Sequence, residues 1–303
     1  MKKILLTGAS GFIGQTLLPI LASEPNSYLL CLSRKKSGND PFYKNVKWVS
    51  GDLDINKNTI KIIRDFNPNV LIHMAWEGLP DYSLDVCVNN MEKSIKFCNK
   101  IFDICKLHKV ISIGSCWEAG KKEGCIKNND WSVDSNFIWS KQAIFNWLLF
   151  QSKTKGFIFN WARLFYVYGP HQREQSLLPF ILENLYSNGC LPELRNPQES
   201  LDFIHVYDVS TALKLVLDKS SSSGVINIGN GKVVSVSSIA DYIYKLYLGE
   251  KAKIQDTKYE IQNEVRFWAD ISDLQKEFRW KPKFNIENGL KNTFDWYKHI
   301  FNV

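Results

Sequence analysis

Gly8, Gly11 and Gly14 stand three residues apart between the apolar run Lys3-Ile4-Leu5-Leu6-Thr7 and a helical pattern through Leu17, Leu18 and Leu21. Glycines at a strand-to-helix junction offer one chemistry that side chains obstruct. Bare backbone N–H groups approach an anion, with the positive end of the helix dipole behind them. Gly8 then permits the tight turn, Gly11 lets a pyrophosphate approach the backbone, and Gly14 lets helix and strand pack closely. The spacing is G-x-x-G-x-x-G, not G-x-G-x-x-G. Such a triplet alone also fits an ordinary turn. Its place at the head of a chain that continues in βα alternation selects the anion-binding reading.

Presenting those amides requires a sheet with its strand ends open. Strand-like runs recur at Tyr28–Ser33, Val46–Ser50, Val70–His73, Val110–Gly114 and Phe157–Arg163. Helical patterns lie near Asn58–Phe66, Leu84–Cys105 and Ser140–Ser152. This alternation predicts an α/β fold with a doubly wound parallel sheet, right-handed crossovers and a ligand at the carboxyl ends of the strands. After Gly169-Pro170 the alternation loosens, and Ser220–Ser223 with Gly224 reads as a short linker. The expected division is a dinucleotide-binding domain of residues 1–170 and 201–230, and a smaller lobe of residues 171–200 and 231–303.

The chain has 303 residues, 45% hydrophobic and 23% charged, an ordinary globular balance with room for a full core. Its formal net charge of +7 favours anionic ligands, but no basic block or aromatic-basic stripe points to nucleic acid. Seven cysteines are scattered without C-x-x-C or His spacing, so no metal site is expected. They read as reduced thiols of a cytoplasmic protein. Met1-Lys2-Lys3 and the short apolar stretch after it imitate a leader but run straight into the glycine turn, and no run approaches a membrane span.

In order and spacing, a set of short motifs resembles the extended short-chain dehydrogenase/reductases, the NAD(P)-dependent nucleotide-sugar epimerase/dehydratase family. They are Thr7-Gly8-Ala9-Ser10-Gly11-Phe12-Ile13-Gly14, Gly51-Asp52-Leu53, His73-Met74-Ala75, Ser112-Ile113-Gly114-Ser115, Ser140-Lys141, Arg163-Leu164-Phe165 and Tyr168-Gly169-Pro170. Asp202-Phe203-Ile204-His205-Val206 with Asp208, Trp268-Ala269-Asp270 and Trp280-Lys281-Pro282 complete it. The last two look like the C-terminal lobe of sugar epimerases and of 4-keto-6-deoxysugar reductases such as abequose synthase. The resemblance implies a Rossmann-type sheet and a C-terminal substrate-binding lobe. It also implies a pyrophosphate cradle of Gly8, Ser10, Gly11, Phe12, Ile13 and Gly14. Asp52 and Leu53 would frame the adenine, and Met74 and Ala75 would line the ribose and nicotinamide side.

NAD-preferring relatives usually place an acid at the end of the second strand, where it accepts hydrogen bonds from the ribose hydroxyls. Here that strand ends Leu32-Ser33-Arg34. Ser33 removes the charge, and Arg34 can pair with a 2′-phosphate through two parallel hydrogen bonds. NADP(H) is therefore expected over NAD(H), which tilts the direction towards ketone reduction.

The resemblance also implies a catalytic set: a Ser or Thr, a Tyr, and a Lys four residues after the Tyr. Ser115 and Lys141 match the first and last, but the position four before Lys141 holds Phe137. Phenylalanine has no proton to give, and such a group is worth about 10²–10⁴-fold, or roughly 3–5 kcal/mol of barrier. Three origins stay open: a deliberate Tyr-to-Phe replacement, a donor elsewhere (Cys116, Tyr166 or water held by Ser115), or a catalytically silent relative. Dehydratases of the family follow the Ser/Thr with Asp-Glu, where this chain has Cys116 and Trp117, so dehydration is set aside. Arg163, Asp202 and His205 fit structural roles.

Cys116, Trp117, Tyr166, Arg195 and Arg266 are the substrate-side candidates, with Lys281 a further cation for a diphosphate. The expected function is NADPH-dependent reduction of a nucleotide-linked 4-keto-6-deoxy sugar. The alternatives are an epimerase with tightly bound cofactor and a non-catalytic nucleotide-binding protein. Family likeness also implies a homodimer through the helices near 84–105 and 140–152, with Ile95, Phe102, Ile144, Trp147 and Leu148 as its apolar residues.

Overall fold

Ile4, Leu5 and Leu6 have no exposed surface, and neither do Leu29, Leu30 and Cys31. Continuous apolar runs of this kind belong to strands covered on both faces. The computed structural model describes residues 1–120, 122–249 and 266–300. In chain order its elements are β1 (Lys2–Thr7), α1 (Phe12–Ala22), β2 (Ser27–Ser33), β3 (Gly38–Asn39), β4 (Val46–Ser50), α2 (Lys57–Phe66), β5 (Val70–His73) and α3 (Leu84–Ile104). Next come β6 (Lys109–Ser115), β7 (Gly124–Ile126), α4 (Asn136–Lys155), β8 (Ile158–Leu164), β9 (Tyr166–Tyr168), α5 (Leu177–Asn188), β10 (Ser200–Leu201) and β11 (Phe203–His205). The remainder are α6 (Val206–Lys219), β12 (Gly224–Ile228), β13 (Val234–Ser235), α7 (Val236–Leu248), β14 (Arg266–Ala269), α8 (Ser272–Phe278) and α9 (Ile286–Ile300).

The chain folds as two compact units. The first comprises Met1–Gly120, Asn129–Arg163 and Ser210–Ile226, and the second Lys121–Asn128, Leu164–Val209 and Asn227–Val303. The large sheet runs β12-β8-β6-β5-β1-β2-β4-β3. β1 pairs in parallel with β2 on one side (Leu5 opposite Leu30) and with β5 on the other (Leu6 opposite Ile72). Chain order therefore reverses at β1, which opens a crevice outside the ends of β1 and β5. The expected doubly wound sheet is present. Its outer strand β3 is two exposed residues paired antiparallel to β4, short enough to offer little edge to another chain.

α4 starts earlier than the sequence pattern suggested. Ser135 is its N-cap and its side chain accepts the Ile138 N–H at 3.3 Å, so Phe137 and Lys141 share one helix. The serine run before β12 is a tied turn. Ser223 Oγ accepts from Phe159 N at 2.9 Å, and the Ser222 carbonyl from Asn160 Nδ2 at 2.9 Å. Lys109 is buried and donates to the carbonyls of Val216, Leu217 and Ser220 at 3.1, 2.8 and 2.7 Å, a cation closing the carboxyl end of α6.

The second unit holds the sheet β13-β10-β14-β7 and the pair β11-β9. Asp202, fully buried, accepts the N–H groups of Asn230, Gly231 and Ala269 at 2.6, 2.9 and 2.9 Å. Asp208 accepts those of Lys283 and Phe284 at 2.9 and 3.0 Å. His205 stacks on Phe284 at 4.1 Å and its Nδ1 accepts from Tyr207 N at 3.3 Å. These side chains have structural duties.

Of the residues named for a dimer, Phe102, Ile144 and Leu148 are buried in the core of the single chain, with Ile95 and Trp147 packed against them. The apolar residues left exposed on α3 and α4 are Leu84, Trp139 and Phe150. Among the described residues, no helix is long and apolar enough to cross a membrane.

Candidate active site

The turn after β1 is built from backbone. Gly8 has φ +75°, and a Cβ on it would lie 2.9 Å from the Met74 carbonyl carbon and 3.0 Å from Ala75 N. A Cβ on Gly14 would lie 2.2 Å from the Gly8 oxygen, so the helix can approach the strand only with glycine there. Gly11 is the N-cap of α1 and offers no side chain to the first-turn amides. Gly8, Ser10, Gly11, Phe12, Ile13 and Gly14 thus form a turn whose first helical N–H groups receive no side-chain cap. The fit to a dinucleotide pyrophosphate is good.

Thr7 fastens this cradle to the end of β5. Its Oγ1 accepts from Met74 N and Ala75 N at 3.2 and 3.3 Å and lies 2.9 Å from His73 Nδ1. With two N–H groups on its lone pairs, the Thr7 hydroxyl proton goes to His73 Nδ1, which places the ring proton on Nε2. Burial, with the Lys141 charge nearby, depresses His73 to about 3, so the imidazole is neutral. Met74 and Ala75 are thereby held beside the glycines.

A chain of alternating charges lies beyond the ends of β2 and β5. Arg34 Nη1 meets Glu77 Oε1 at 2.5 Å, Glu77 Oε2 lies 3.7 Å from Lys93 Nζ, and Lys93 Nζ bonds Asp52 Oδ2 at 3.0 Å. Glu77 is anchored by α3, since its N–H donates to Asn90 Oδ1 at 2.7 Å and its carbonyl accepts from Asn90 Nδ2 at 3.0 Å. Against the upward pull of partial burial, the Leu53 N–H and Lys93 hold the Asp52 carboxyl below its ordinary value. Ser33 is buried, and its Oγ accepts the Lys35 N–H at 3.3 Å. Leu53 is buried as well.

Ser115 ends β6 and caps the one-turn 3₁₀ helix Cys116–Ala119. Its Oγ accepts the Trp117 N–H at 3.3 Å, and its own N–H donates to Glu118 Oε1 at 2.8 Å, a reciprocal capping box. Glu118 is fully buried, and its other oxygen accepts from Trp161 Nε1 at 2.9 Å and Arg163 Nε at 3.1 Å. The Arg163 guanidinium also lies 4.3 Å above the Trp131 ring. Burial raises the Glu118 carboxyl, while Arg163, Trp161 and the Ser115 N–H oppose that rise.

Lys141 Nζ donates to the Ile113 carbonyl at 2.9 Å and sits 4.2 Å over the Trp76 ring. Burial draws it down to about 8, partly offset by Glu118. One turn earlier, Phe137 is buried among aromatic rings, with centroids at 5.3 Å (Trp76), 5.2 Å (Tyr82) and 6.0 Å (Trp117).

The first unit therefore brings together Ser115, Cys116, Trp117, Phe137 and Lys141. Cys116 is buried, and Trp117 keeps 37% of its surface exposed. Tyr166, Arg195 and Arg266 belong to the second unit. The Tyr166 ring packs on Phe203 and Phe267, each at 5.9 Å, and Arg195 is exposed. Arg266 begins β14, and its side chain lies outside the described residues. Sequence reasoning passed over Trp76, Glu77, Tyr82, Lys93 and Glu118. Glu118 had a signal, the S-x-x-E spacing from Ser115. Tyr82 had none, being one loop residue among several.

Residues 4–229 match the NAD dependent epimerase/dehydratase family. The chain is 23% identical over 340 residues to dTDP-glucose 4,6-dehydratase of Haemophilus influenzae, covering 100% of this chain and 99% of that protein. It is 24% identical over 314 residues to a trifunctional UDP-glucose 4,6-dehydratase/UDP-4-keto-6-deoxy-D-glucose 3,5-epimerase/UDP-4-keto-L-rhamnose-reductase of Arabidopsis thaliana. That match covers 98% of this chain, which spans about half (47%) of the plant protein's length. Among solved structures, dTDP-glucose 4,6-dehydratase from Bacillus anthracis in complex with NAD superposes with a TM-score of 0.81 at 24% identity, over 99% of this chain and 97% of that one. UDP-glucuronic acid 4-epimerase from Bacillus cereus in complex with NAD gives 0.83 at 20% identity, over 100% and 98%.

Proposed function

We propose that this chain, which belongs to the NAD dependent epimerase/dehydratase family, binds a nicotinamide dinucleotide and a nucleotide-linked sugar and moves hydride at a sugar carbon. One observation carries the reading: the bare-amide cradle after β1 shares a unit with Ser115 and Lys141. When bound, the nicotinamide supplies or accepts the hydride. Ser115 Oγ donates a hydrogen bond to the sugar oxygen and stabilises the charge that grows there. Lys141 orients the nicotinamide ribose and adds a positive charge at pH values below about 8.

The finer reading is reduction of a 4-keto-6-deoxy sugar. Cys116 and Trp117 occupy the places of the dehydratase acids, and Glu118, the buried acid of the same turn, is held by three donors. Eliminating water is therefore unsupported. Ser33 and Arg34 support NADP(H), while Glu77 beside Arg34 and the NAD held by the solved relatives support NAD(H). The second unit is the proposed sugar-nucleotide lobe, and Tyr166, Arg195 and Arg266 are its candidate substrate residues. No disulfide joins the seven cysteines, which supports a reducing, cytoplasmic setting. Exposed Trp139 and Phe150 support a homodimer across α4.

Stoichiometric NADPH oxidation on adding a dTDP- or UDP-linked 4-keto-6-deoxy sugar tests the reductase. Cofactor that copurifies, never exchanges and supports conversion with none added would instead establish the epimerase reading, which the Bacillus cereus relative favours. Binding without turnover by either assay would leave a nucleotide-binding protein, the reading Phe137 favours.

A further inference from the structure

Reduction of a sugar ketone needs a proton as well as a hydride, and Phe137 places a phenyl ring where the family's phenol is expected. The fold brings a different phenol to that ring. Tyr82 lies in the loop 74–83 between β5 and α3. Its ring stands 5.2 Å from Phe137 in edge contact and 5.3 Å from Trp117. Trp117 donates its N–H to Ser115 Oγ, so Tyr82 packs on the turn that carries the proposed carbonyl-polarising hydroxyl.

The loop is held in place around it. Asn90 fixes Glu77, Asp81 N donates to the Gly78 carbonyl at 2.8 Å, and Asp81 Oδ1 accepts from Ser83 N at 2.8 Å. Phe137 is buried, whereas Tyr82 and Trp117 keep surface open to solvent. The other candidate donors are placed less well. Cys116 is 4% exposed, and the Tyr166 ring is engaged with Phe203 and Phe267 in the second unit.

We propose that Tyr82 is the proton donor of this site, an assignment that rests on the hydride-transfer reading above. As hydride adds to the carbonyl carbon, the C=O π pair moves to oxygen, and that alkoxide takes the Tyr82 phenolic proton. The product is the sugar alcohol, and the phenolate regains a proton from water. A phenol at position 82, its ring packed on Phe137, supplies what position 137 lacks.

Binding tests this without turnover. Calorimetric titration of the full chain with UDP- and dTDP-linked glucose, and with their 4-deoxyglucose counterparts, reads the hydrogen bond from Tyr82 to O4. Wild type is expected to prefer the O4-bearing sugar about tenfold. Tyr82→Phe, which removes one oxygen and keeps the ring, should cut that preference several-fold to the share that Ser115 supplies, with no change in affinity for the 4-deoxy sugar. Adding Phe137→Tyr to Tyr82→Phe should restore the preference. In turnover with a 4-keto sugar, Tyr82→Phe should fall about 100-fold or more, with NADPH binding unchanged by tryptophan quenching. An undiminished preference or undiminished turnover in Tyr82→Phe overturns the assignment. A wild type that binds nucleotide sugars without an O4 preference overturns it too, and one that binds none removes the functional reading and the assignment with it.

Discussion

Arg34 and Glu77 form an ion pair at 2.5 Å, although 43 residues of chain separate them. One follows the end of β2 and the other follows β5, so the pair spans the crevice at the sheet's point of reversal. The guanidinium is mostly exposed, so the pair contributes little to stability. Its importance is for recognition: the cation that would receive a 2′-phosphate already faces a carboxylate. Arg34→Ala is expected to weaken NADPH binding about tenfold or more and leave NADH binding nearly unchanged. Glu77→Gln is expected to raise the NADPH-to-NADH affinity ratio several-fold. Fluorescence titration of both variants with both cofactors measures this, and an unchanged ratio in both would remove Arg34 from the cofactor site.

Phe137→Tyr returns the family's phenol to α4. With Tyr82 donating, the change in turnover is expected to stay within about tenfold in the wild-type background. The same substitution should raise turnover about 100-fold or more in Tyr82→Phe. Single-turnover NADPH oxidation by the four proteins of this cycle gives the coupling directly.

Glu118 joins the Ser115 N–H to Trp161 and Arg163 inside the first unit. Glu118→Ala removes the carboxylate from a buried guanidinium and frees the turn that carries Ser115. A loss of about 3–5 kcal/mol in urea denaturation is expected. Glu118→Gln keeps one acceptor and the side-chain shape, so its loss should be smaller. Equal, small losses in both would show that the pair is not what holds this turn.

Burial keeps Lys141 at about 8, against an ordinary value of 10.5. Between those values the unfolded chain binds more protons than the folded one, so this residue makes stability rise as the pH climbs through 8 towards 10.5. Below pH 8 both states are protonated and the whole cost of the buried charge is present. Lys141→Met carries no such cost. The unfolding free energy of the variant minus that of wild type is expected to fall by about 3 kcal/mol from pH 7 to pH 10.5. Urea midpoints across that range measure it, and a constant difference would show that the ammonium is not desolvated.

The amino-acid order by itself determined the features that depend on near neighbours in the chain. Val46–Ser50 and Val70–His73 fold as strands over the residues their apolar pattern marks; Val70–His73 is buried throughout as a central parallel strand, whereas Val46–Ser50, next to the sheet edge, leaves Lys47 and Ser50 exposed. The glycine turn was equally legible, since Gly8, Gly11 and Gly14 act on backbone a few residues away. The reading lost accuracy at the start of α4, where Ser135 caps a helix whose first turn has little apolar periodicity.

Only the tertiary structure decided which distant side chains share the site. Tyr82 meets Phe137 across 55 positions, Arg163 reaches Glu118 across 45, and Arg34 finds Glu77 across 43. No local spacing encodes such meetings. They follow from sheet order, which sets the ends of β2, β5 and β6 and one face of α4 around a common crevice.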